Sequence, residues 1–301
     1  MTLRRTVLLL LLAAFAAVGC GERLEPVGDL SVEYPVRVRG AGDAPTVLRQ
    51  APKRIVALDL GAAELLSRMG AGARLVGLPS GALVPTATDA QMVVPPSGQI
   101  DVREIVSLRP DLIVATPDTD PVDASRAERE SGAALYIQPS ESVDDVVRSA
   151  IELGFLVAEP ARARTLVAEM RQSLADLDAV LADVPERAVF LDTGFFVTVP
   201  RQSLLGDLLA RARGRSVAGA RPGLEPFPLN RLARLDPDVY LATSDTRVTL
   251  GRLRSNPKTA RLRSVREGRV HILPVTLVTT AGPRVPEALA EIARALHPEA
   301  F

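Results

Sequence analysis

The 301-residue sequence has one cysteine, two histidines and no tryptophan. A single cysteine cannot form an internal disulfide, and two histidines are too few for a receptor that binds a bare zinc or manganese ion through several His ligands. Aromatic residues make up 3% of the chain, which leaves few side chains for stacking nucleic-acid bases. Lys and Arg equal Asp and Glu at 36 each, so no basic excess indicates a nucleic-acid partner.

Sequence motifs of common enzymes are also missing. The chain has no Gly-x-Ser-x-Gly elbow, no Walker loop and no dinucleotide-binding fingerprint. Ser-His-Asp chemistry would have to use His271, which we expect to be a core histidine in an apolar strand, or His297 near the C-terminus. We therefore expect a protein that is not an enzyme, with no intrinsic cofactor and no metal site.

The first twenty residues have the pattern of a secretory signal. Arg4 and Arg5 precede an apolar run, Val7–Val18, that is shorter than the ~20 residues a bilayer span requires. The ending Ala-Val-Gly-Cys resembles a bacterial lipobox, whose cysteine becomes the lipid-bearing N-terminus. We predict a signal peptide over 1–19, lipidation at Cys20 and an extracytoplasmic, membrane-anchored chain. The alternative is an ordinary signal peptide with an incidental cysteine.

Strand and helix patterns alternate after a polar segment over 20–51, in which two weak strand signals favour a hairpin. Apolar runs without polar alternation cover 54–59, 74–79, 111–116 and 134–139. Such runs are typical of parallel strands covered by helices on both faces. Asp101 is a suitable N-cap for a short helix before the third run.

Three phrases recur in the same order in the second half of the chain. RIVALD (54–59) returns as RAVFLD (187–192), LRPDLIVAT (108–116) as LDPDVYLAT (235–243), and ALYIQP (134–139) as RVHILP (269–274). The offsets are 133, 127 and 135 residues. One echo is weak evidence, because Pro-Asp before an apolar run is a common turn. Three echoes at similar offsets predict two related α/β lobes.

The segment between the repeats has helical periodicity. Leu166, Met170, Leu174, Leu177 and Leu181 lie on one helical face, and Pro160 suits a first turn. We predict an α/β fold with two lobes, each a parallel sheet flanked by helices, joined by one long rigid α-helix. The predicted boundaries are 52–158 for the N-terminal lobe, 159–185 for the interlobe helix and 186–301 for the C-terminal lobe.

The chain resembles the class III, helical-backbone (TroA-like) substrate-binding proteins of ABC importers that serve cobalamin, ferric siderophores and haem. The phrases that carry the resemblance are APKRIVALDLGAAELLSRMGAGARLVGLP, REIVSLRPDLIVAT, SLLGDLLARARG, LNRLARLDPDVYLAT and SVREGRVHILP. The resemblance implies a monomer that captures ligand between its lobes and delivers it to an ABC permease and ATPase.

Open α/β sheets bind ligands beyond the carboxyl ends of their strands. The residues that follow the predicted strands, with Arg284 at the start of the last helix, are therefore candidate ligand contacts. Each is also an ordinary loop or cap residue type. The candidates are Asp59, Gly61, Ser80, Thr116, Asp118, Asp192, Thr193, Phe195, Thr243, Asp245, Thr276 and Arg284.

Asp59 and Asp192 occupy the same place in the two repeats. They either face each other across the cleft and bind a cation or donor groups, or each caps the element after its strand. Arg284 either binds an anionic ligand or bridges helix and sheet.

Permease docking is the point where the sequence departs from the family. The resemblance implies a glutamate on each lobe that meets an arginine pocket, but Arg103 and Asn230 stand at these positions. Glu104 is adjacent to the first position, and Glu225 is the nearest acid upstream of the second. Three explanations are open: the docking surface has shifted by a residue, the partner permease is charged differently, or the protein no longer docks a permease.

Two hypotheses follow. The favoured one is an ABC-importer receptor for an iron chelate such as a siderophore, or for haem or a corrinoid. The scarcity of aromatic residues gives a weak preference for a ferric siderophore. The other is a lipid-anchored binding or scaffold protein with the same fold and no permease partner; a bare metal-ion receptor is a weaker third.

Overall fold

Two parallel sheets and a long helix between them form the framework of the molecule. The computed structural model describes residues 31–220 and 225–301, so the predicted signal peptide and Cys20 lie outside the described residues. Val32–Phe301 forms one unit by itself, and every contact given below lies within it.

The N-terminal lobe begins with an antiparallel pair, β1 (Val36–Val38) and β2 (Thr46–Leu48). Its main strands are β3 (Ile55–Ala57), β4 (Leu75–Pro79), β5 (Gln91–Val94), β6 (Leu112–Ala115) and β7 (Ala134–Ile137). They form a five-stranded sheet in the order β5-β4-β3-β6-β7, with all neighbours parallel. The helices of this lobe are α1 (Leu60–Arg68), α2 (Val102–Ser107), α3 (Pro121–Ser131) and α4 (Val143–Leu156).

The interlobe helix, α5 (Pro160–Leu181), leads to the C-terminal lobe. The strands of this lobe are β8 (Arg187–Asp192), β9 (Gly214–Ser216), β10 (Val239–Thr243) and β11 (Val270–Leu273). Their order is β11-β10-β8-β9, again with all neighbours parallel. The helices are α6 (Leu204–Arg211), α7 (Leu229–Leu235), α8 (Leu250–Ser255), α9 (Arg263–Arg266), α10 (Val275–Val278) and α11 (Val285–Leu296).

The sheet orders confirm the predicted duplication. The series β4-β3-β6-β7 in one sheet corresponds to β9-β8-β10-β11 in the other. The repeated Pro-Asp phrases end in β6 and β10, which occupy equivalent positions. The predicted α/β fold with two helix-flanked parallel sheets is therefore correct. Two edge strands, β5 and β9, were not predicted, because they are short and β9 has no apolar pattern.

The aspartate of each repeated phrase fastens two neighbouring strands together. Asp111 Oδ2 accepts hydrogen bonds from the backbone N–H groups of Lys53 (2.7 Å) and Arg54 (2.9 Å), at the start of β3. In the second lobe, Asp238 Oδ2 accepts from the N–H of Ala188 in β8 at 2.9 Å. A charged acceptor at a strand start satisfies donors that the sheet leaves unpaired. This shared contact explains why the phrase occurs in both lobes.

Helix α5 lies in a hydrophobic core that is continuous between the lobes. Its buried face, which includes Leu166, Met170 and Leu174, belongs to the same cluster as Val114 of β6 and Leu241 of β10. It packs against α4 of the first lobe and α11 of the second. At 22 residues it is about 33 Å long. Within the described ranges no helix, α5 included, is long and apolar enough to cross a membrane.

Polar contacts also join the two lobes directly. Gln138, at the end of β7, is buried and its Nε2 donates to the carbonyl of Ala281 at 2.7 Å. The N–H of Val143, the first residue of α4, donates to Asp207 Oδ2 of α6 at 2.9 Å. Arg211 of α6 pairs with Asp144 at 2.9 Å. These contacts hold the two lobes in one relative position behind the cleft.

The two lobes approach closely at Gly61, where the first turn of α1 meets the chain before α11. A Cβ atom on Gly61 would lie 2.3 Å from the carbonyl oxygen of Ala281. We expect Gly61→Ala to lower the free energy of unfolding by about 2 kcal/mol, because a backbone oxygen cannot move aside cheaply. Urea unfolding of the purified chain measures the change.

A matched control is Gly251→Ala in α8. A Cβ atom there would come no nearer than 3.9 Å to Thr249 Oγ1, so the helix should gain about 0.5–1 kcal/mol. Equal effects of the two substitutions would show that Gly61 is not a close-packed interlobe contact.

Candidate functional site

A cavity of about 340 Å³ lies between the two lobes. Its position at the carboxyl ends of β3, β6 and β7 follows the rule for ligand sites of open α/β sheets. The first lobe contributes Asp59, Thr116, Pro117, Asp118, Ser140 and Glu141 to the lining. The second lobe contributes Val199, Pro200, Gln202, Ser203, Leu204, Leu205, Thr279 and Ala281. The volume is within the ~300–1,000 Å³ typical of small-molecule sites.

Three predicted ligand contacts line this cavity: Asp59, Thr116 and Asp118. Thr116 is 7% exposed at the end of β6, and its N–H donates to Thr119 Oγ1 at 3.0 Å. Asp118 is exposed in the next loop. Topology brings these three side chains together, since β3 and β6 are neighbouring parallel strands.

Asp59 is the N-cap of α1, as one of the two alternatives for this residue predicted. Its Oδ1 accepts hydrogen bonds from the N–H groups of Gly61 (2.7 Å) and Ala62 (3.4 Å). Burial raises the pKa of Asp59 above its ordinary value, and the negative charge of Asp118 adds to this shift. A carboxylate placed in this way favours a ligand that brings positive charge or hydrogen-bond donors.

The hypothesis that Asp192 faces Asp59 across the cleft is wrong. Asp192 is 1% exposed, and its Oδ2 accepts a hydrogen bond from Tyr240 Oη at 2.6 Å within the C-terminal lobe. Its Oδ1 accepts from the N–H groups of Gly194 (2.8 Å) and Phe196 (3.0 Å). Both carboxylate oxygens are thus occupied in shaping the turn after β8.

That turn presents Phe195 to solvent. Phe195 is 89% exposed, and both it and Phe196 have left-handed backbone angles, with φ of 52° and 63°. Bulky residues rarely adopt this conformation, so the contacts of Asp192 and the Thr193–Val197 backbone bond at 2.8 Å must hold it. The same loop continues into the cavity lining. The exposed ring of Phe195 is therefore suited to contact a ligand at the cavity.

The remaining predicted contacts lie outside the cavity lining. Gly61 is packed against the other lobe, and Thr243 is buried with its Oγ1 unpartnered among the described residues. The N–H of Ser80 donates to the carbonyl of Val94 at 2.7 Å, and Thr193 Oγ1 donates to the carbonyl of Val197 at 3.2 Å. Asp245 and Thr276 are exposed on the C-terminal lobe.

Arg284 lies outside the cavity lining and pairs with a residue of the helix that it precedes. Its Nε donates to Glu287 Oε2 at 2.9 Å, three residues along α11. It also lies near Glu64 of α1, across the contact between the lobes. Burial raises the pKa of Glu64, and the positive charge of Arg284 partly opposes this shift. Glu64 Oε2 is buried and has no hydrogen-bond partner within 31–220 and 225–301.

Sequence reasoning missed most of the lining supplied by the β8–α6 loop. Pro200, Gln202 and Ser203 line the cavity about ten residues after the end of β8. The strand-end rule selects only the first few residues after a strand, so it does not find them. Ser203 could have been recognised as a helix N-cap from the sequence, because serine is a preferred residue type there. It is the N-cap of α6, and its Oγ accepts a hydrogen bond from the N–H of Gly206 at 3.1 Å.

The cavity lining is acidic. Asp59, Asp118 and Glu141 contribute carboxylates, whereas no Lys or Arg lines it among the residues that the structure describes. The described residues contain no group of three or more His, Cys, Asp or Glu side chains that could hold a metal ion. The chemistry of the site is therefore recognition by carboxylates, hydroxyls and a few apolar groups.

The expectation that His271 is a core histidine is wrong, and His297 is the histidine that is buried. His271 lies on β11, an edge strand, and is half-buried, so it is not a core histidine. His297 is fully buried with Nε2 3.1 Å from the carbonyl oxygen of Ala212. Burial lowers the pKa of both.

The three candidate docking residues are on short helices outside the cavity. Arg103 on α2 and Asn230 on α7 are exposed. Glu104 is half-buried, and its N–H donates to the N-cap residue Asp101 at 3.0 Å. A carboxylate next to Arg103 is therefore present at the surface of the first lobe.

The sequence matches the model of the periplasmic binding protein family over residues 55–276. This match covers both parallel sheets, the interlobe helix and most of the residues that line the cleft. The chain belongs to the periplasmic binding protein family.

Two curated relatives extend over most of the chain. An uncharacterized ABC transporter substrate-binding lipoprotein of Bacillus subtilis, YvrC, is 23% identical over 97% of this chain and 96% of its own length. A cobalamin-binding protein of Halobacterium salinarum is 26% identical over 89% of this chain and 76% of its own length.

Solved structures show the same fold. CeuE of Helicobacter pylori with Ni(II) bound superposes with a TM-score of 0.75 at 18% identity, covering 88% of this chain and 90% of its own. The periplasmic haem-binding protein RhuT of Roseiflexus has a TM-score of 0.71 at 21% identity, covering 83% and 99%. Class III substrate-binding proteins thus share the architecture that the sequence resemblance implied.

Glu64 provides a pH test of the contact between the lobes. Because its pKa is raised by burial, the folded chain keeps a proton that the unfolded chain releases just above the ordinary pKa of 4.5. The free energy of unfolding should therefore fall as pH rises through this window. Glu64→Gln should remove this loss, so the variant gains stability over the parent between pH 4 and pH 7. Urea unfolding at each pH measures the difference.

Glu33→Gln, at an exposed position away from this contact, is the control and should show no such gain. A Glu64→Gln difference that stays constant from pH 4 to pH 7 would contradict a raised pKa.

Proposed function

We propose that this protein is an extracytoplasmic substrate-binding lipoprotein that captures a corrinoid between its lobes and delivers it to an ABC importer. The observation that carries the choice of ligand is the acidic lining of the cavity, which lacks Lys and Arg among the described residues. Siderophore complexes and haem are the alternatives that the same cleft must discriminate against.

The charge of the lining separates these ligand classes. Haem carries two propionates and many ferric siderophores are anionic, so both would meet Asp59, Asp118 and Glu141 without a cation to pair with. A corrinoid has a rim of neutral amides, whose N–H groups are donors for carboxylates and hydroxyls. The lining therefore supports a corrinoid and reverses the weak preference for a ferric siderophore.

The shape of the site supports a ligand larger than the cavity itself. The β8–α6 loop carries Phe195 in a fixed, exposed position and then supplies Val199 to Ser203 to the lining. A flat macrocycle could cover the opening, with its amide substituents directed into the cavity and an edge against Phe195. The Halobacterium relative named for cobalamin binding agrees with this ligand class.

The transport role and the anchor rest on other observations. The full-length Bacillus relative is named a substrate-binding lipoprotein of an ABC transporter, and the sequence Ala-Val-Gly-Cys ends an apolar leader at Cys20. An anchor at Cys20 would keep the two lobes close to a permease and its ATPase. This assignment predicts no catalytic turnover of the ligand.

A ligand panel tests the proposal directly. Thermal unfolding is followed with cobalamin, haem and a ferric tris-catecholate siderophore, which is anionic, each added separately. Cobalamin at 100 times its Kd should stabilise the folded chain by ~2.7 kcal/mol, with smaller shifts for the two anionic ligands. A larger shift with haem or the siderophore would overturn the corrinoid assignment, and no shift with any of them would reject the receptor function.

Phe195→Ala should weaken cobalamin binding about fivefold or more, since an aromatic contact with a bound ring is worth ~1 kcal/mol or more. Phe301→Ala is the matched control, because Phe301 is also exposed (50%) but lies at the C-terminus on Arg294. Isothermal titration of both variants gives the comparison. Equal affinities for the parent and Phe195→Ala would remove Phe195 from the site.

The second candidate function is a lipid-anchored binding or scaffold protein that docks no permease. The exposed Arg103 and Asn230, at positions where the family resemblance implies acids, are the observation in its favour. If docking is retained, Glu104 is the acid on α2 that could replace the missing glutamate.

Glu104→Lys should then weaken binding to a co-reconstituted partner permease at least tenfold, because it replaces attraction by repulsion at the interface. Glu130→Lys on α3, an exposed position outside the two candidate helices, is the charge-matched control. Undiminished binding of Glu104→Lys would reject the shifted-acid hypothesis.

A further inference from the structure

The balanced charge of the chain conceals a strongly basic segment. Lys and Arg equal Asp and Glu at 36 each in the whole sequence, but residues 229–269 contain ten Lys or Arg and only four Asp or Glu. This stretch includes α7, α8 and α9 and the strand β10 between them. The excess is six positive charges in 41 residues, and it matters for function if these side chains lie together on the surface.

The three helices turn their charged sides in the same direction. Leu232 of α7, Leu253 of α8 and Val265 of α9 are buried in one cluster against Phe190 and Tyr240, on one face of the C-terminal sheet. The opposite side of each helix is left to solvent. We call the exposed cations of this segment the basic face: Arg231, Arg234, Arg247, Arg252, Arg254, Lys258, Arg261 and Arg266.

The basic face has little internal neutralisation. Asp238 pairs with Arg263 and Glu267 with Arg269, and Asp236 accepts from the N–H of Arg263 at 2.6 Å. Within the described part of the chain, none of the eight cations of the basic face forms an ion pair. Their charges are therefore available to an external anionic surface.

The chemistry of the basic face favours lipid headgroups over a protein partner. Protein interfaces centre on buried aromatic and apolar anchors, yet Leu235 (41% exposed) is the one large apolar side chain exposed in the described residues of 229–269. Anionic headgroups form a diffuse surface that attracts spread cations without pockets, and each Lys or Arg near it adds to the attraction.

The length of chain after the predicted anchor is compatible with contact between the folded unit and the membrane. Fifteen residues lie between Cys20 and Val36 at the start of β1, which gives a reach of up to about 50 Å when extended. We propose that the basic face binds the anionic phospholipid surface of the membrane to which the protein is anchored. This inference goes beyond ligand capture and holds for any ligand of the cleft.

Vesicle flotation tests the proposal with the chain Gly21–Phe301, which retains the whole unit Val32–Phe301 and carries no lipid. The chain should float with vesicles of 30% phosphatidylglycerol in phosphatidylcholine, and not with pure phosphatidylcholine. Binding should fall at least tenfold between 0.05 and 0.5 M NaCl, since salt screens exposed charges. Binding to both vesicle types alike, or to neither, would overturn the proposal.

A quadruple variant should bind the phosphatidylglycerol vesicles at least tenfold more weakly than the parent. Its substitutions are Arg234→Gln, Arg254→Gln, Arg261→Gln and Arg266→Gln. These side chains are exposed, so the thermal unfolding curve should be unchanged. The control removes four exposed arginines elsewhere, Arg49, Arg129, Arg164 and Arg171, and should stay within twofold of the parent. Equal losses would show that net charge acts instead of the basic face.

An acidic protein partner would give a different result. Salt-dependent binding to immobilised polyglutamate, together with no flotation on phosphatidylglycerol vesicles, would assign the basic face to such a partner and contradict the lipid proposal.

Discussion

The hydrophobic core around the interlobe helix is the constraint on which the rest of the structure depends. Buried residues of both sheets and of α1, α4, α5, α6 and α11 belong to one cluster, so the lobes are not separate bodies joined by a linker. Separating them would expose apolar surface at about 25 cal/mol per Å² and would break the buried hydrogen bond from Gln138 to Ala281. The orientation of the lobes is therefore set by the same burial that stabilises the fold.

This constraint determines what kind of binding site the cleft can be. Since the lobes meet closely at Gly61 and Ala281, the part of a ligand that enters the cleft must fit the existing space between the strand ends. The groups that we propose for recognition are held in place by the fold: Asp59 as a helix cap, Thr116 at a strand end and Phe195 on a turn shaped by Asp192. A site with preset groups loses little free energy to ordering when ligand binds. In the proposed function, selectivity depends mainly on the acidic lining, which opposes anionic complexes.

The fold was predictable from the sequence, whereas the site was predictable only in part. Buried parallel strands leave an apolar signature, and the repeated Leu-x-Pro-Asp phrases revealed the duplication because Asp111 and Asp238 serve the same strand junction. Asp59, Thr116 and Asp118 follow directly from the strand-end rule. Asp192 also follows a strand directly, but it is buried and bonded to Tyr240. Tyr240 is 48 residues away in the sequence, so no local sequence pattern predicts this contact. The β8–α6 loop contributes lining residues that only tertiary packing selects.

The most direct test of this account is the distance between the lobes with and without ligand. Spin labels at Arg129→Cys on α3 and Arg254→Cys on α8 report it cleanly, because Cys20 is the sole native cysteine and is absent from the chain Gly21–Phe301. Double electron–electron resonance with saturating cobalamin should show a shift of less than about 2 Å, as for preorganised complexes. A change of several ångströms would show that the lobes move as independent bodies and would contradict the continuous core as the determinant of the cleft.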